Sequence, residues 1–166
     1  MPNKAVTEAE YRAVSNFVYL ECQLADEGRW EEWEELLADD MHYWVPGTLD
    51  DPDPDRDVSI INDNRSRLAT RLRQLRTGTR LAQAPTSEMR RMISNLVIWL
   101  EEDGEYVAEA NFVIFEMQKQ STMTMNQWPG RVSYRLRSKL QGFEMARKRV
   151  DLIAAASGIP SLGFII

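Results

Sequence analysis

The chain has 166 residues, of which 28% are charged, and a net charge of −6. This length suits one domain with a substantial hydrophobic core, and we expect a single domain over residues 1–166. It contains one cysteine, Cys22, and one histidine, His42. These counts exclude an intramolecular disulfide and are typical of a reducing compartment, so we expect a cytoplasmic protein. They also exclude a Rieske cluster, a two-histidine iron site and a Cys/His zinc site built by one chain.

Charge is divided unevenly along the chain. Residues 1–63 hold 17 acidic and 4 basic side chains, a net charge of −13, whereas residues 64–166 hold 9 and 16, a net charge of +7. The chain as a whole is acidic and carries no nucleic-acid-reading motif, so we expect no nucleic-acid partner. It also lacks a basic leader and a long apolar stretch, which predicts no membrane segment. The two halves are expected to neutralise each other, with some charge left for a protein partner.

Helices are predicted at the beginning. The sequence Thr7-Glu8-Ala9-Glu10 is a capping box that starts a helix, and Gly28 is expected to end it. Its apolar face is formed by Tyr11, Val14, Phe17, Val18 and Leu24. A second amphipathic helix is predicted from Trp30, Trp33, Leu36 and Leu37, with four glutamates outward.

A strand, a loop and a third helix follow. Met41–Val45 is predicted to be a strand ended by Pro46, with Trp44 buried between helices and sheet. The acidic, proline-rich run Asp50–Asp57 is predicted to be an exposed loop, although a cation site there is an alternative. A third helix is expected from about Asn62 to Arg76, stopped by Thr77-Gly78-Thr79.

Beyond Pro85 the pattern changes to strands. The predicted strands are Arg91–Leu100, Tyr106–Met117, Arg131–Leu140 and Phe143–Ile153. Turns are expected at Glu101–Glu105 and Gln141-Gly142, and a longer polar loop at Ser121–Gly130. The segment Leu162–Ile166 is apolar and is expected to be buried. Helices followed by antiparallel strands predict an α+β fold with one curved sheet against the helices.

Six short motifs, in this order, resemble one protein family. They are Leu24–Trp33, Tyr43-Trp44-Val45-Pro46, Asn62-Asp63-Asn64-Arg65, Leu75-Arg76-Thr77-Gly78, the set Pro85, Ser87, Arg90, Ser94 and Asn95, and Asn111-Phe112. The chain resembles the small (beta) subunit of aromatic-ring-hydroxylating dioxygenases. It departs from the family's usual pattern at Arg91, where histidine is common. The resemblance implies a cone-shaped fold like that of nuclear transport factor 2, with N-terminal helices packed on a curved, mostly antiparallel sheet.

The resemblance also implies a division of labour. A large alpha subunit carries the Rieske [2Fe-2S] cluster and the mononuclear Fe(II), and electrons come from NADH through separate proteins. The beta subunit, without a catalytic centre, cofactor or metal of its own, forms a trimer that supports the alpha subunits as α3β3 in the catabolism of aromatic compounds. The abundance of arginine predicts a subunit interface. The candidate interface residues are Arg65, Arg71, Arg76, Arg90, Arg135 and Arg137.

Two other functions remain open for this fold. One is a stand-alone acid–base isomerase, dehydratase or cyclase with His42 as general base, since histidine titrates near neutral pH. The candidate residues of that set are Asp39, Asp40, His42, Tyr43 and Asp63. Because side chains alternate along a strand, His42 and Tyr43 should point to opposite faces, which argues against this function. The other alternative, a dimeric ligand-binding module, requires a roomy apolar pocket.

Overall fold

The computed structural model describes residues 4–78, 85–119, 123–159 and 162–166. The chain begins with a short strand and two helices and continues mostly as strands. The elements are β1 (Lys4–Ala5), α1 (Glu8–Glu27), α2 (Trp30–Glu35), β2 (Leu37–Pro46), β3 (Ser59–Asn64), α3 (Arg65–Arg76), β4 (Glu88–Leu100), β5 (Tyr106–Gln118), β6 (Thr124–Ser138) and β7 (Phe143–Leu152), followed by a 3-10 turn at Ala155–Ser157. No helix in the described ranges has the length and hydropathy needed to span a membrane.

The described strands form one seven-stranded sheet in the order β1-β4-β5-β6-β7-β2-β3. Among these strands, β2 and β7 pair in parallel and the other neighbours are antiparallel. The helices cover one face, called here the inner face, where the alternate residues Tyr106, Ala108, Ala110, Phe112 and Ile114 of β5 lie in the core. The opposite face is called the outer face. The predicted α+β class and mostly antiparallel sheet are confirmed.

Helix α1 begins and ends as its sequence predicts. The Thr7 hydroxyl accepts from the Glu10 amide at 3.2 Å, and the Glu10 carboxylate accepts from the Thr7 amide at 2.7 Å. Gly28 takes the left-handed conformation (φ 67°) that ends a helix without steric cost. Val14 and Val18, both fully buried, lie on the face turned to the sheet.

Several predicted boundaries are wrong. Residues 62–64 belong to β3, and α3 begins at Arg65, where the Asn64 side chain accepts from the Arg67 amide at 3.0 Å. Leu37 is the first residue of β2 and not part of the second helix. In the expected loop at 121–130, residues 124–130 instead belong to β6, because their backbone pairs with β5. Residues 121 and 122 of the expected loop lie outside the described ranges. Residues 79–84 do so as well, and they include Thr79, the last residue of the predicted helix stop.

The later turns and the final segment match their predictions. Gly104 (φ 84°) and Gly142 (φ 77°) adopt left-handed conformations in the two predicted hairpin turns. Asn95 (φ 54°) does so at the irregularity between Ser94 and Val97 in β4, a conformation that asparagine tolerates better than most residues. The apolar segment Leu162–Ile166 is buried throughout.

Candidate functional site

The inner face of the sheet holds a buried ion pair between helix α1 and strand β7. Glu21 and Lys148 are 0% and 2% exposed, and the Lys148 ammonium donates to the Glu21 carboxylate at 2.8 Å. The same carboxylate accepts from the Trp33 indole at 2.7 Å and from the Tyr134 hydroxyl at 3.0 Å. Each oxygen of Glu21 therefore has a strong donor, and the pair is fully satisfied inside the core.

The electrostatics of this cluster keep Glu21 charged. Burial raises the pKa of the Glu21 carboxyl and is the largest single influence, but the charges of Lys148 and Arg91 and the hydrogen bonds from Lys148 and Trp33 together outweigh it, and the pKa is lowered. Burial and the nearby Glu21 charge raise the pKa of Tyr134 well above its ordinary value. Burial likewise raises the pKa of Cys22 to about 12. The phenol and the thiol therefore stay protonated near neutral pH, beside an ionised carboxylate.

The segment Leu162–Ile166 closes the space beside this cluster. The Tyr43 hydroxyl donates to the Ile166 carbonyl at 3.1 Å and accepts from the Ile166 amide at 2.9 Å. Arg91 donates to the Ile165 carbonyl and is ion-paired with Asp26. A cavity beside the segment, lined by residues that include Cys22, Arg91, Tyr134 and Ile166, has a volume of about 10 Å³. That volume is about one water molecule and far below the hundreds of Å³ of a ligand pocket.

The five residues of the acid–base alternative do not form one site. His42 Nε2 lies 2.8 Å from the Asn62 amide oxygen, and its ring stacks on Trp44 on the outer face. Tyr43 is fully buried on the inner face, so the predicted separation of the two side chains is confirmed. The acidic members are dispersed. Asp40 pairs with Arg137, Asp63 pairs with Arg71, and Asp39 is exposed.

Trp44 is buried as predicted, but it does not lie between the helices and the sheet, where the sequence predicts it. It is 1% exposed and shares the outer face with His42, away from the helices. Arg147 and Arg149 lie over its ring, with guanidinium carbons 5.3 and 4.7 Å from the ring centroid, and its indole donates to Ser59 Oγ at 2.9 Å. The alternation along β2 sends Tyr43 to the core and therefore sends Trp44 to the opposite side.

The candidate interface arginines are mostly engaged within the chain. Five of them bind carboxylates: Arg65 and Arg76 bind Glu34, Arg71 binds Asp63, Arg135 binds Asp103 and Glu105, and Arg137 binds Asp40 and Glu105. The sixth, Arg90, donates to the Met89 carbonyl at 2.7 Å. Their role at a subunit interface stays a prediction.

The predicted acidic loop is exposed over most of its length, as expected. In the described part of the chain, no group of three or more His, Cys, Asp or Glu side chains is arranged to hold a metal ion. The aspartates of this loop instead organise its own backbone. Asp53 Oδ1 accepts from the Asp55 amide at 2.9 Å, and Asp57 Oδ2 accepts from the Asp53 amide at 2.7 Å.

Comparison with known proteins decides the family. The sequence model of the family described as "Ring hydroxylating beta subunit" matches residues 20–157, most of the chain. The chain belongs to this family. It is 32% identical over 126 residues to the beta subunit of 3-phenylpropionate/cinnamic acid dioxygenase from Photorhabdus laumondii, covering 70% of this chain and 69% of that one. The resemblance seen in the six motifs is thereby confirmed, and the chain is a structural subunit of an aromatic-ring-hydroxylating dioxygenase.

Solved structures extend the likeness to the whole fold. The beta subunit of benzoate 1,2-dioxygenase from Burkholderia mallei superposes with a TM-score of 0.75 at 20% identity, covering 98% of this chain and 99% of that one. A chain of naphthalene 1,2-dioxygenase superposes with a TM-score of 0.82 at 12% identity, covering 98% of this chain and 88% of that one. A scytalone-dehydratase-like protein from Novosphingobium aromaticivorans shares the fold with a TM-score of 0.66 at 12% identity, covering 87% and 84%. The cone-shaped fold of nuclear transport factor 2 is thus confirmed for this beta subunit.

Proposed function

We propose that this beta subunit has no catalytic centre of its own and serves as the base on which iron-bearing alpha subunits assemble. In the proposed α3β3 enzyme, three copies of this chain form a trimer. Each alpha subunit carries a Rieske [2Fe-2S] cluster and a mononuclear Fe(II). The whole enzyme adds O2 to an aromatic ring with electrons from NADH, in the cytoplasm, as part of aromatic catabolism.

The observation that supports this proposal best is the closed interior of the cone. Enzymes built on this fold need a pocket that admits a substrate and presents an acid or a base to it. Here Leu162–Ile166 lies in that space, and the cavity that it lines together with Cys22, Arg91 and Tyr134 has a volume of about 10 Å³ among the described residues. The buried carboxylate of Glu21 already accepts from Lys148, Trp33 and Tyr134. An interior with this composition stabilises a scaffold, and the chemistry is left to the partner.

Metal analysis of the chain, alone and in complex, tests the proposal. We expect the purified chain to contain no stoichiometric iron, and we expect iron in complexes isolated after co-expression with an iron-bearing large subunit. The matched control is His42→Ala, which removes the one imidazole of the chain. Stoichiometric iron in the isolated chain that disappears in His42→Ala contradicts the proposal, as does failure of the chain to bind any large subunit.

A further inference from the structure

The cations of two buried ion pairs line one small cavity in the core. The Glu21–Lys148 pair joins α1 to β7, and the Asp26–Arg91 pair joins α1 to β4. Among the described residues, the cavity of about 10 Å³ is lined by Arg91, Lys148 and Tyr134 together with mostly apolar side chains. This volume is about the space that one water molecule needs.

Arg91 brings an unused hydrogen-bond donor to this part of the core. Its side chain is 3% exposed, and its two terminal nitrogens donate to the Asp26 carboxylate and to the Ile165 carbonyl. Its Nε is buried and, within the described ranges, has no hydrogen-bond partner. A charged donor that is buried in this way loses its hydration without compensation, so an acceptor at Nε stabilises the fold.

Lys148 and Tyr134 supply further hydrogen-bonding capacity at the same cavity. The Lys148 ammonium has three N–H groups, and one of them donates to Glu21 at 2.8 Å. The Tyr134 hydroxyl donates to Glu21 at 3.0 Å, and its oxygen keeps lone pairs that accept. An occupant that accepts from both cations and donates to this hydroxyl makes about three hydrogen bonds, the usual number for a buried water.

The charges around the cavity favour a neutral occupant. Asp26 already balances Arg91, and Glu21 already balances Lys148, so an added ion of either sign would be left without a counter-charge. An organic ligand needs hundreds of Å³ and is excluded by the volume. Water is small, neutral and able both to accept and to donate, and it therefore matches the cavity.

We propose that this cavity is a binding site for one structural water molecule, which accepts from Arg91 Nε and from the Lys148 ammonium. The water joins the Asp26–Arg91 pair to the Glu21–Lys148 pair, so α1, β4 and β7 share one continuous polar network inside the core. A fully satisfied network of this kind fixes the helix and the two strands relative to one another. The site belongs to the chain itself and does not depend on binding to a large subunit.

Nuclear magnetic resonance of the full chain tests the site through the proton on Arg91 Nε. We expect a dipolar cross-peak between this proton and a long-lived water, with laboratory-frame and rotating-frame spectra compared to separate it from chemical exchange. The control is the proton on Arg71 Nε, which Asp63 accepts at 2.7 Å and which should show no such cross-peak. Absence of the cross-peak at Arg91 overturns the proposal, and so does a cross-peak of equal intensity at Arg71.

Val132→Ile tests whether the water occupies this cavity, because Val132 lines it and is 2% exposed. The added methyl group takes the space of the water, so the Arg91 cross-peak should disappear and the urea midpoint of unfolding should not rise. In a dry cavity the same group fills a void and raises the midpoint. Persistence of the cross-peak in this variant, or a higher midpoint, overturns the proposal.

A matched substitution controls for the added methyl group itself. Val107→Ile makes the same change on the outer face, beside the wide cleft between β5, β6 and β7, and should leave the Arg91 cross-peak unchanged. Loss of the cross-peak in Val107→Ile as well overturns the proposal, because the signal would then not report on the cavity. If Val132→Ile does not fold, the spectrum of the parent chain alone decides.

Discussion

The hydroxyl of Tyr43 is bonded twice to the backbone of Ile166, as donor to its carbonyl at 3.1 Å and as acceptor from its amide at 2.9 Å. Both residues are buried, and burial raises the pKa of the phenol, so it remains protonated in neutral solution. One side chain of β2 thereby satisfies both polar groups of a residue in the segment that fills the cone.

Tyr43→Phe should destabilise the chain by about 1–3 kcal/mol, because it leaves a buried amide and a buried carbonyl unpaired. Urea unfolding measures the change. The matched control is Tyr11→Phe, which removes a hydroxyl that bonds the Leu96 carbonyl at 3.2 Å on an exposed side chain and should cost less. Equal losses in the two variants would show that the bonds to Ile166 do not hold the segment.

Glu21→Gln should be considerably more damaging than an ordinary surface substitution. It leaves the buried Lys148 ammonium without a counter-charge, and breaking a buried pair in this way costs about 3–5 kcal/mol. Glu8→Gln is the control on the same helix, since its ion pair with Arg12 is exposed and such pairs contribute about 0–1 kcal/mol. A thermal melt of the two variants beside the parent compares them directly.

The same pair predicts how stability depends on pH. The folded pKa of Glu21 lies below its unfolded value of about 4.3, so its contribution is fully present above that pH. The contribution is lost as the pH falls through the folded pKa, where the folded carboxylate becomes protonated. The melting temperature should therefore fall in acid, and the fall should be shallower in Glu21→Gln. If the melting temperatures of the parent and the variant fall equally steeply in acid, this assignment of the pH dependence to Glu21 is wrong.

Trp44→Ala should cost roughly 3–5 kcal/mol, the usual range for truncating a buried tryptophan. The cause is loss of the ring that lies beneath Arg147 and Arg149 on the outer face. Trp99→Ala, at a partly exposed tryptophan of β4, is the comparison. Chemical denaturation followed by circular dichroism measures both. If the Trp44 variant is no less stable than the Trp99 variant, the contacts of Trp44 with Arg147 and Arg149 contribute little to the stability of the fold.

His42→Ala should affect stability or assembly and leave the chemical step of the assembled dioxygenase unchanged. The imidazole bonds Asn62 and stacks on Trp44, and it faces away from the closed interior. General acid–base catalysis by His42 would instead predict a loss of about 10²–10⁴-fold in kcat. Steady-state kinetics beside size-exclusion chromatography separates the two results.

Local signals predicted the helices and turns because their causes are local. The Thr7–Glu10 box, Gly28 and Gly142 act within a few residues, and the structure reproduces each. Residues 62–64 and 124–130 were misassigned because their strand structure depends on partners elsewhere, β2 and β5. The polar residues in these stretches have little intrinsic preference for strands. Pairing with β2 and β5 makes them strands despite this low propensity.

The buried pair was missed although a signal for it existed. Glu21 occupies the apolar stripe of α1, three and seven positions after Val18 and Val14, and Lys148 shares a strand face with Val150 and Leu152. An acidic residue on the apolar face of one element and a basic residue on the apolar face of another predict that the two side chains form a buried ion pair. The position of Leu162–Ile166 within the cone had no such signal, because an apolar segment indicates burial and not the place where it is buried.

The contact between Tyr43 and Ile166 spans 123 positions along the chain. During synthesis, helix α1 and strand β2 leave the ribosome long before the segment that fills the space between them. Until then, the inner face near Glu21 and Lys148 is open to water and to other nascent chains. Closure of so long a loop is slow compared with local helix and hairpin formation. The seating of Leu162–Ile166 should therefore follow the formation of the helices and hairpins, and chaperone binding should be strongest for ribosome-bound chains in which this segment has not yet emerged.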